Sequence, residues 1–478
     1  MLPCFLVGGL LVAARPNVLL ILADDMGCGD VNAYNAESKI PTPHMDRLAA
    51  GGLVFRDAHS ASSVGGLARY GLMTGRYCWR QTKARKDCMG FDPPQIDPSR
   101  MTLGDLFKKS GYNTAYFGKW GLGLGWVTKE GQTGDWNSGY TGSGENLDID
   151  FSKPLLGGPN TLGFDYFYGT AAALDCPPYA FIENDTSVGI PDKVTRAGGR
   201  LGLTVEGFRA IDALPSLTRK AVQFLQRQAS SPADQPFFLF VSLTAPHAPF
   251  VPTEQVKGRS QAGRYGDSVA LADWSVGRLL NTLENTGLLR DTLVLLTSDN
   301  GSLKSNKEME PIYGHRPGHL FRGKKGDGLE GGHRVPLIVS WPGQFQPGTS
   351  NEVICQTDFF ATFAEILGTK LPADAGEDSI SFLSVLKGKD LRQPIRESII
   401  HYSSYGSFAI REGRWKLILP PEIGNSEEFG ASARGQLYDL KADIGESRNL
   451  WEQQPSRVDR LRKLLEKYRA QNSSRNDT

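Results

Sequence analysis

Two apolar runs, each closing on adjacent oxygen donors, constrain this chain more than any other feature. Residues 17–25 read Asn17-Val18-Leu19-Leu20-Ile21-Leu22-Ala23-Asp24-Asp25, and 293–300 read Leu293-Val294-Leu295-Leu296-Thr297-Ser298-Asp299-Asn300. Such runs read as buried strands. In an open α/β sheet, sites form beyond the carboxyl ends of strands. Asp24, Asp25, Asp299 and Asn300 then gather at one sheet edge. An all-oxygen donor set favours Ca²⁺ or Mg²⁺ over softer metals. Singly, Asp-Asp or Asp-Asn after a strand is an ordinary turn; both in one chain, each after a long apolar run, point to a cation site.

A chain of 478 residues exceeds one ordinary domain, and its 40% hydrophobic content suffices for a sizeable core. Lys and Arg number 53 against 52 Asp and Glu, a net charge of +1. No global field therefore points to nucleic acid, and anion binding must be local. Residues 2–14 form an apolar stretch too short to span a bilayer, ending in Val12-Ala13-Ala14. Small residues there suit signal-peptidase cleavage, although the basic segment usual before such a stretch is missing. Residues 1–14 are therefore expected to be a signal peptide, for a secreted or periplasmic protein. No other stretch approaches membrane-spanning length. The six cysteines form no C-x-x-C pair, which argues against zinc; Cys78 and Cys88 are close enough in sequence to close a short loop.

Strand candidates at Val18–Ala23, Thr114–Gly118, Phe237–Leu243, Leu293–Thr297 and Val335–Trp341 alternate with helix candidates at Pro43–Gly51, Met101–Ser110, Leu217–Gln228 and Ser268–Thr286. This alternation predicts an α/β domain over 15–345 with a large, mostly parallel central sheet. Past about 345 the character changes. Phe408–Leu419 alternates around Glu412-Gly413 like a hairpin, Gln436–Leu440 is strand-like, and Ser456–Ala470 places Val458, Leu461, Leu464, Leu465 and Tyr468 on one helical face. A smaller α+β subdomain with an antiparallel sheet is expected over 346–470. Residues 471–478 read as a disordered tail and 123–160 as a long surface loop.

Several basic groups fall in loops after these strands. Lys119 follows Thr114–Gly118, and His247 follows Phe237–Leu243 within Ala245-Pro246-His247-Ala248-Pro249. Lys325 lies in Phe321-Arg322-Gly323-Lys324-Lys325-Gly326, and Arg69 follows the small-residue segment 60–68. With a helix starting near 66, position 65 sits one turn before Arg69, so the two can face one site. Alone, each is a solvated cation or a core histidine. Together around a cation they make a site for a tetrahedral oxyanion. Asp175 is a candidate for lining the substrate mouth or equally for capping its own loop, and His315 and His319, near the Lys325 loop, are further candidates for substrate contact.

The order Pro16-Asn17-Val18, Asp24-Asp25-Met26-Gly27, Arg69, Leu72-Met73-Thr74-Gly75-Arg76, Gly118-Lys119-Trp120, Asp299-Asn300-Gly301 and Glu330-Gly331-Gly332 resembles the formylglycine-dependent sulfatases. It is especially similar to the arylsulfatase and N-acetylgalactosamine-6-sulfatase branch. The likeness covers nearly the whole chain, including Leu437-Tyr438-Asp439-Leu440 with Gly445-Glu446 and Asn449-Leu450. It implies an alkaline-phosphatase-like sandwich and hydrolysis of sulfate esters on sulfated carbohydrates or aryl sulfates. Asp24, Asp25, Asp299 and Asn300 would hold one Ca²⁺, and Lys119 and Lys325 would grip sulfate oxygens. His247 would protonate the leaving oxygen. Arg69 would stabilise a hydrated aldehyde made from a cysteine.

This sequence departs from that pattern at the reacting atom. The family writes Cys-x-Pro-x-Arg; counting back from Arg69 gives Gly65 at the cysteine and Leu67 at the proline. The family also writes Lys-x-His where Lys119-Trp120 is followed by Gly121. Formylglycine cannot form at Gly65. Ser62 and Ser63 lie seven and six residues before Arg69 and Cys78 nine after it, all out of register. Another metal-dependent hydrolase of the alkaline-phosphatase-like superfamily would need a Ser or Thr nucleophile near the metal, and none is in register. Losing a covalent nucleophile costs on the order of 10⁶ in rate. The expected product is an inactive or severely impaired sulfatase that keeps its calcium and sulfate pocket. The alternatives are a non-catalytic binder of sulfated glycans and a hydrolase with an unrecognised nucleophile.

Overall fold

Alternate residues of the first strand face opposite sides of a sheet buried on both faces. A computed structural model describes residues 15–81, 87, 89–132, 142–232, 235–421 and 434–475. The stretch 1–14, expected to be a signal peptide, and Cys88 lie outside the described residues. In the strand Asn17–Asp24, Val18, Leu20 and Leu22 enter one core, while Leu19, Ile21 and Ala23 enter the other. That double burial is why the strand reads as an uninterrupted apolar run.

The main sheet has ten strands, ordered Gly348–Ser350, Leu53–Phe55, Leu337–Ser340, Thr292–Ser298, Asn17–Asp24, Phe237–Pro246, Asn113–Lys119, Tyr166–Thr170, Ile182–Glu183 and Thr186–Ser187. The five from Thr292–Ser298 to Tyr166–Thr170 are mutually parallel, which carries their C-terminal ends to one edge. Leu337–Ser340 runs antiparallel to both neighbours, and the short strands at the opposite edge are also antiparallel. Helices Ala210–Gln228 and Gly263–Asn285 cover one face through Leu217, Leu225, Val269 and Leu279. Helix Gly65–Thr74 lies in the other core and is buried along its whole length.

The second sheet is antiparallel and four-stranded: Ser398–Tyr402, Phe408–Glu412, Trp415–Ile418 and Gln436–Asp439. Helix Pro455–Ala470 buries Val458, Leu461 and Leu465 against it. The change of character comes later than residue 345, because Gly348–Ser350 still pairs in the main sheet with Leu53–Phe55. Two further expectations need correction. Within 123–160, Leu124, Trp126, Ile149, Phe151 and Leu155 are buried, so this stretch is a packed cover and not merely a surface loop. In the polar tail, Ser474 Oγ and Ser473 Oγ bond to Asp378 and the Glu377 carbonyl, and Arg475 donates to the carbonyls of Ala375 and Pro372. Residues 473–475 are thus held in place.

Charge joins the two sheets alongside their shared apolar core. Lys416 Nζ, wholly buried, lies 2.9 Å from Glu330 Oε1 and 2.8 Å from Glu446 Oε1. Burial together with Glu330 pushes the Glu446 carboxyl up to about 7 against the pull of Lys416. Lys416→Met should destabilise the protein by roughly 3–5 kcal/mol in urea titrations near neutral pH, because two carboxylates lose their cation. A group with a raised folded pKa favours folding at low pH. The penalty should therefore shrink as pH falls from about 7 toward 4.5. A loss below about 1 kcal/mol would show that the pair is not uncompensated.

Candidate active site

The parallel strand ends deliver the expected residues to one buried point. Ala23 sits opposite Ser298 and Asp24 opposite Pro246, so the tips of three neighbouring strands are level. Asp25 leaves its strand with φ at +69°, and its N–H donates to Asp299 Oδ1 at 3.1 Å. Asn300 Nδ2 donates to Asp25 Oδ1 at 2.7 Å. All four proposed ligands are fully buried.

The cations lie against these carboxylates. Lys119 Nζ is 2.9 Å from both oxygens of Asp24, and Lys325 Nζ is 3.0 Å from Asp25 Oδ2. Arg69 donates from Nε to Asp299 Oδ2 at 3.0 Å and from Nη1 to Ser242 Oγ at 2.6 Å. Its Nη2 lies 3.5 Å from Asp24 Oδ1. Burial alone would raise the Asp24 pKa, but Lys119, His247 and Arg69 hold it well below the usual carboxylate range. Asp299 goes the other way, pushed up to about 6 by burial and by Asp24 despite Arg69. Burial would lower the Lys325 pKa; Asp25 and then Asp87 hold it above the ordinary lysine value.

His247 completes the ring. Its Nδ1 lies 2.6 Å from the Ala248 carbonyl, and a carbonyl only accepts, so Nδ1 carries hydrogen. Nε2 faces Asp25 Oδ2 at 3.6 Å and is the ring nitrogen turned toward the strand tips. Asp175 lies nearby, with Oδ1 4.0 Å from His247 Nδ1 and Oδ2 3.0 Å from Arg200.

Gly65 and Gly121, the two glycines where the sequence departs from the pattern it resembles, face this point. Gly65 is the first residue of its helix, and a Cβ there would lie 2.9 Å from Asp299 Oδ2 and 3.7 Å from both Asn300 Oδ1 and Lys119 Nζ. A Cβ on Gly121 would lie 3.3 Å from Lys119 Cε and 3.4 Å from Arg69 Cδ. Gly121 also has φ of +67°, a left-handed conformation that strains other residues.

The donor set fits a hard divalent cation. Asn300 Oδ1 is buried and accepts no hydrogen bond, an orphan acceptor of the kind a metal satisfies. Asp24, Asp25 and His247 form one of the clusters able to hold an ion. His315 and His319 do not reach the site. His315 is buried with Nε2 2.8 Å from Asp30 Oδ1, a structural tie, and His319 lines a separate surface hollow with Glu37 and Arg316. Ser242 and Asp87 were not anticipated. Ser242 lies inside an apolar strand, and Asp87 follows a polar stretch with no periodic signal.

The sulfatase family profile matches residues 16–369. The chain belongs to the sulfatase family. A second profile, for the C-terminal part of N-sulphoglucosamine sulphohydrolase, matches residues 328–472. The N-acetylgalactosamine-6-O-sulfatase of Bacteroides thetaiotaomicron is 33% identical, over 95% of this chain and 93% of that one. Human arylsulfatase A is 32% identical, over 93% and 85%. A solved structure from work on glycosaminoglycan metabolism by Bacteroides thetaiotaomicron superimposes with a TM-score of 0.84 at 31% identity, covering 96% of this chain and all of that one. The architecture is thus that of the alkaline-phosphatase-like sulfatases, with a sulfate-ester hydrolase scaffold. Among the described residues of this sulfatase no helix is long and apolar enough to cross a membrane.

Arg69 is the hub of the charge web in this sulfatase, bonded to Asp299, Ser242 and the Lys119 carbonyl. Arg69→Ala should cost roughly 3–5 kcal/mol in chemical denaturation, because buried carboxylates lose their partner. A change within about 0.5 kcal/mol, as at an ordinary surface site, would contradict the web as described.

Proposed function

We propose that this sulfatase has lost ordinary turnover and retains a Ca²⁺-dependent pocket for sulfated carbohydrate, acting outside the cytoplasm. One observation carries the reading: Gly65 points its missing side chain into the cationic pocket, 3.7 Å from Lys119 Nζ, and offers no atom to attack sulfur. Asp24, Asp25, Asp299 and Asn300 would hold the ion, which when bound supplies divalent charge beside the sulfate oxygens. Lys119 and Lys325 would receive the remaining oxygens by charge-assisted hydrogen bonds. His247 Nε2 is placed to hand a proton to the ester oxygen, but with nothing displacing that oxygen the proton has no role.

The substrate class rests on the relatives, one named for N-acetylgalactosamine-6-O-sulfate ester hydrolysis. Secretion rests on the apolar stretch ending at Ala14.

Purified protein with Ca²⁺ and an aryl sulfate should turn over on the order of 10⁶ more slowly than a working sulfatase. Rates in the ordinary enzyme range would overturn the proposal. Restoration is the complementary assay. Leu67 is the third residue of its helix and its N–H lacks a helical acceptor, so Leu67→Pro removes no helical hydrogen bond. Gly65→Cys with Leu67→Pro, matured by the formylglycine-generating enzyme, should recover measurable turnover. Adding Gly121→His should help less than the residue type suggests, since φ there is +67°. A folded, aldehyde-bearing double variant with no gain would mean the pocket has drifted elsewhere too.

A further inference from the structure

The pocket has an anion of its own. Asp87 Oδ1 accepts a hydrogen bond from the backbone N–H of Gly66 at 2.8 Å. Gly66 is the second residue of the ten-residue helix Gly65–Thr74, where free N–H groups and the helix dipole favour negative charge. Both pocket lysines flank that turn. Lys119 Nζ lies 3.7 Å from the Cβ direction of Gly65. The Lys325 loop is pinned alongside, because Gly326 N–H donates to the Ser63 carbonyl at 2.8 Å, just before the helix starts.

The electrostatics agree with this placement. Burial would raise the Asp87 pKa, yet Lys325, Lys119, the Gly66 N–H and His247 hold it below the usual carboxylate range. Lys325 in turn has Asp87 as its second strongest carboxylate influence, after Asp25 and ahead of Asp24. A carboxylate and a sulfate group accept from N–H and ammonium donors in the same way. Asp87 therefore holds the Gly66 N–H and adds negative charge beside the two lysines that an incoming sulfate needs, one residue along the helix from Gly65. A depressed pKa makes it a poor base and a weak nucleophile, so it serves better as a fixed anion than as a substitute catalyst.

We propose that Asp87 is a tethered anion docked in the sulfate end of the pocket, which an external sulfate group must displace to bind. This deepens the reading of a retained sulfate pocket and rests on it. Asp87→Asn keeps the shape and an acceptor for Gly66 while removing the charge. Calorimetric titration of the Ca²⁺-saturated protein with sodium sulfate, at constant ionic strength, should show roughly tenfold tighter binding in Asp87→Asn than in the native chain. Asp87→Ala, checked for folding by circular dichroism, should move the same way. Equal or weaker sulfate binding in both variants would overturn the inference while leaving the pocket reading intact. A drop in Ca²⁺ affinity in both variants would reassign Asp87 to the metal, against the proposal. Failure of native and variant chains alike to bind sulfate would overturn the pocket reading and the inference with it.

Discussion

Opposite charges buried side by side at the strand tips are the interaction on which this structure depends. Asp24, Asp25 and Asp299 are fully buried beside Arg69, Lys119 and Lys325. A carboxylate stranded there alone would be costly to bury, and so would an ammonium. Together they compensate, provided the strands hold register and the Gly65–Thr74 helix keeps Arg69 aimed inward. Every link in that web is independent of the side chain at position 65. The web that folds the chain around the pocket therefore stands without any side chain at position 65.

The second sheet is coupled to that web through Glu330 and its neighbours. Glu330 meets Lys416 and Arg334 at 2.9 Å each, and His333 stacks on His401 with ring centroids 3.6 Å apart. The Lys325 loop runs just before this cluster and also bonds to Ser63 and, through Gly326, to Ser404. One loop thus touches the pocket, the helix start and the C-terminal subdomain.

Much of this was legible in the sequence. An apolar run closing on Asp-Asp or Asp-Asn marks both a buried parallel strand and oxygen donors at its tip, and the structure joins all four residues. Lys119 and His247 were readable because each follows a strand, Arg69 because it sits one helical turn from position 65, and Lys325 from its basic loop Phe321–Gly326. What escaped had no local signal. Ser242 is a single hydroxyl in an apolar strand, and its bond to Arg69 is set by register alone. Asp87 lies in a stretch without helical or strand period. The antiparallel run of Leu337–Ser340 and the burial of Trp126 and Phe151 are tertiary outcomes that composition cannot report. The left-handed backbone at Gly121 likewise appears only in three dimensions.

The most direct measurement is a crystal structure of the protein soaked with calcium and an aryl sulfate. The account predicts an unbroken ester, its sulfate group between Lys119 and Lys325 beside a cation held by Asp24, Asp25, Asp299 and Asn300. Cleaved product with a sulfated side chain, or strand tips holding neither cation nor anion, would contradict it.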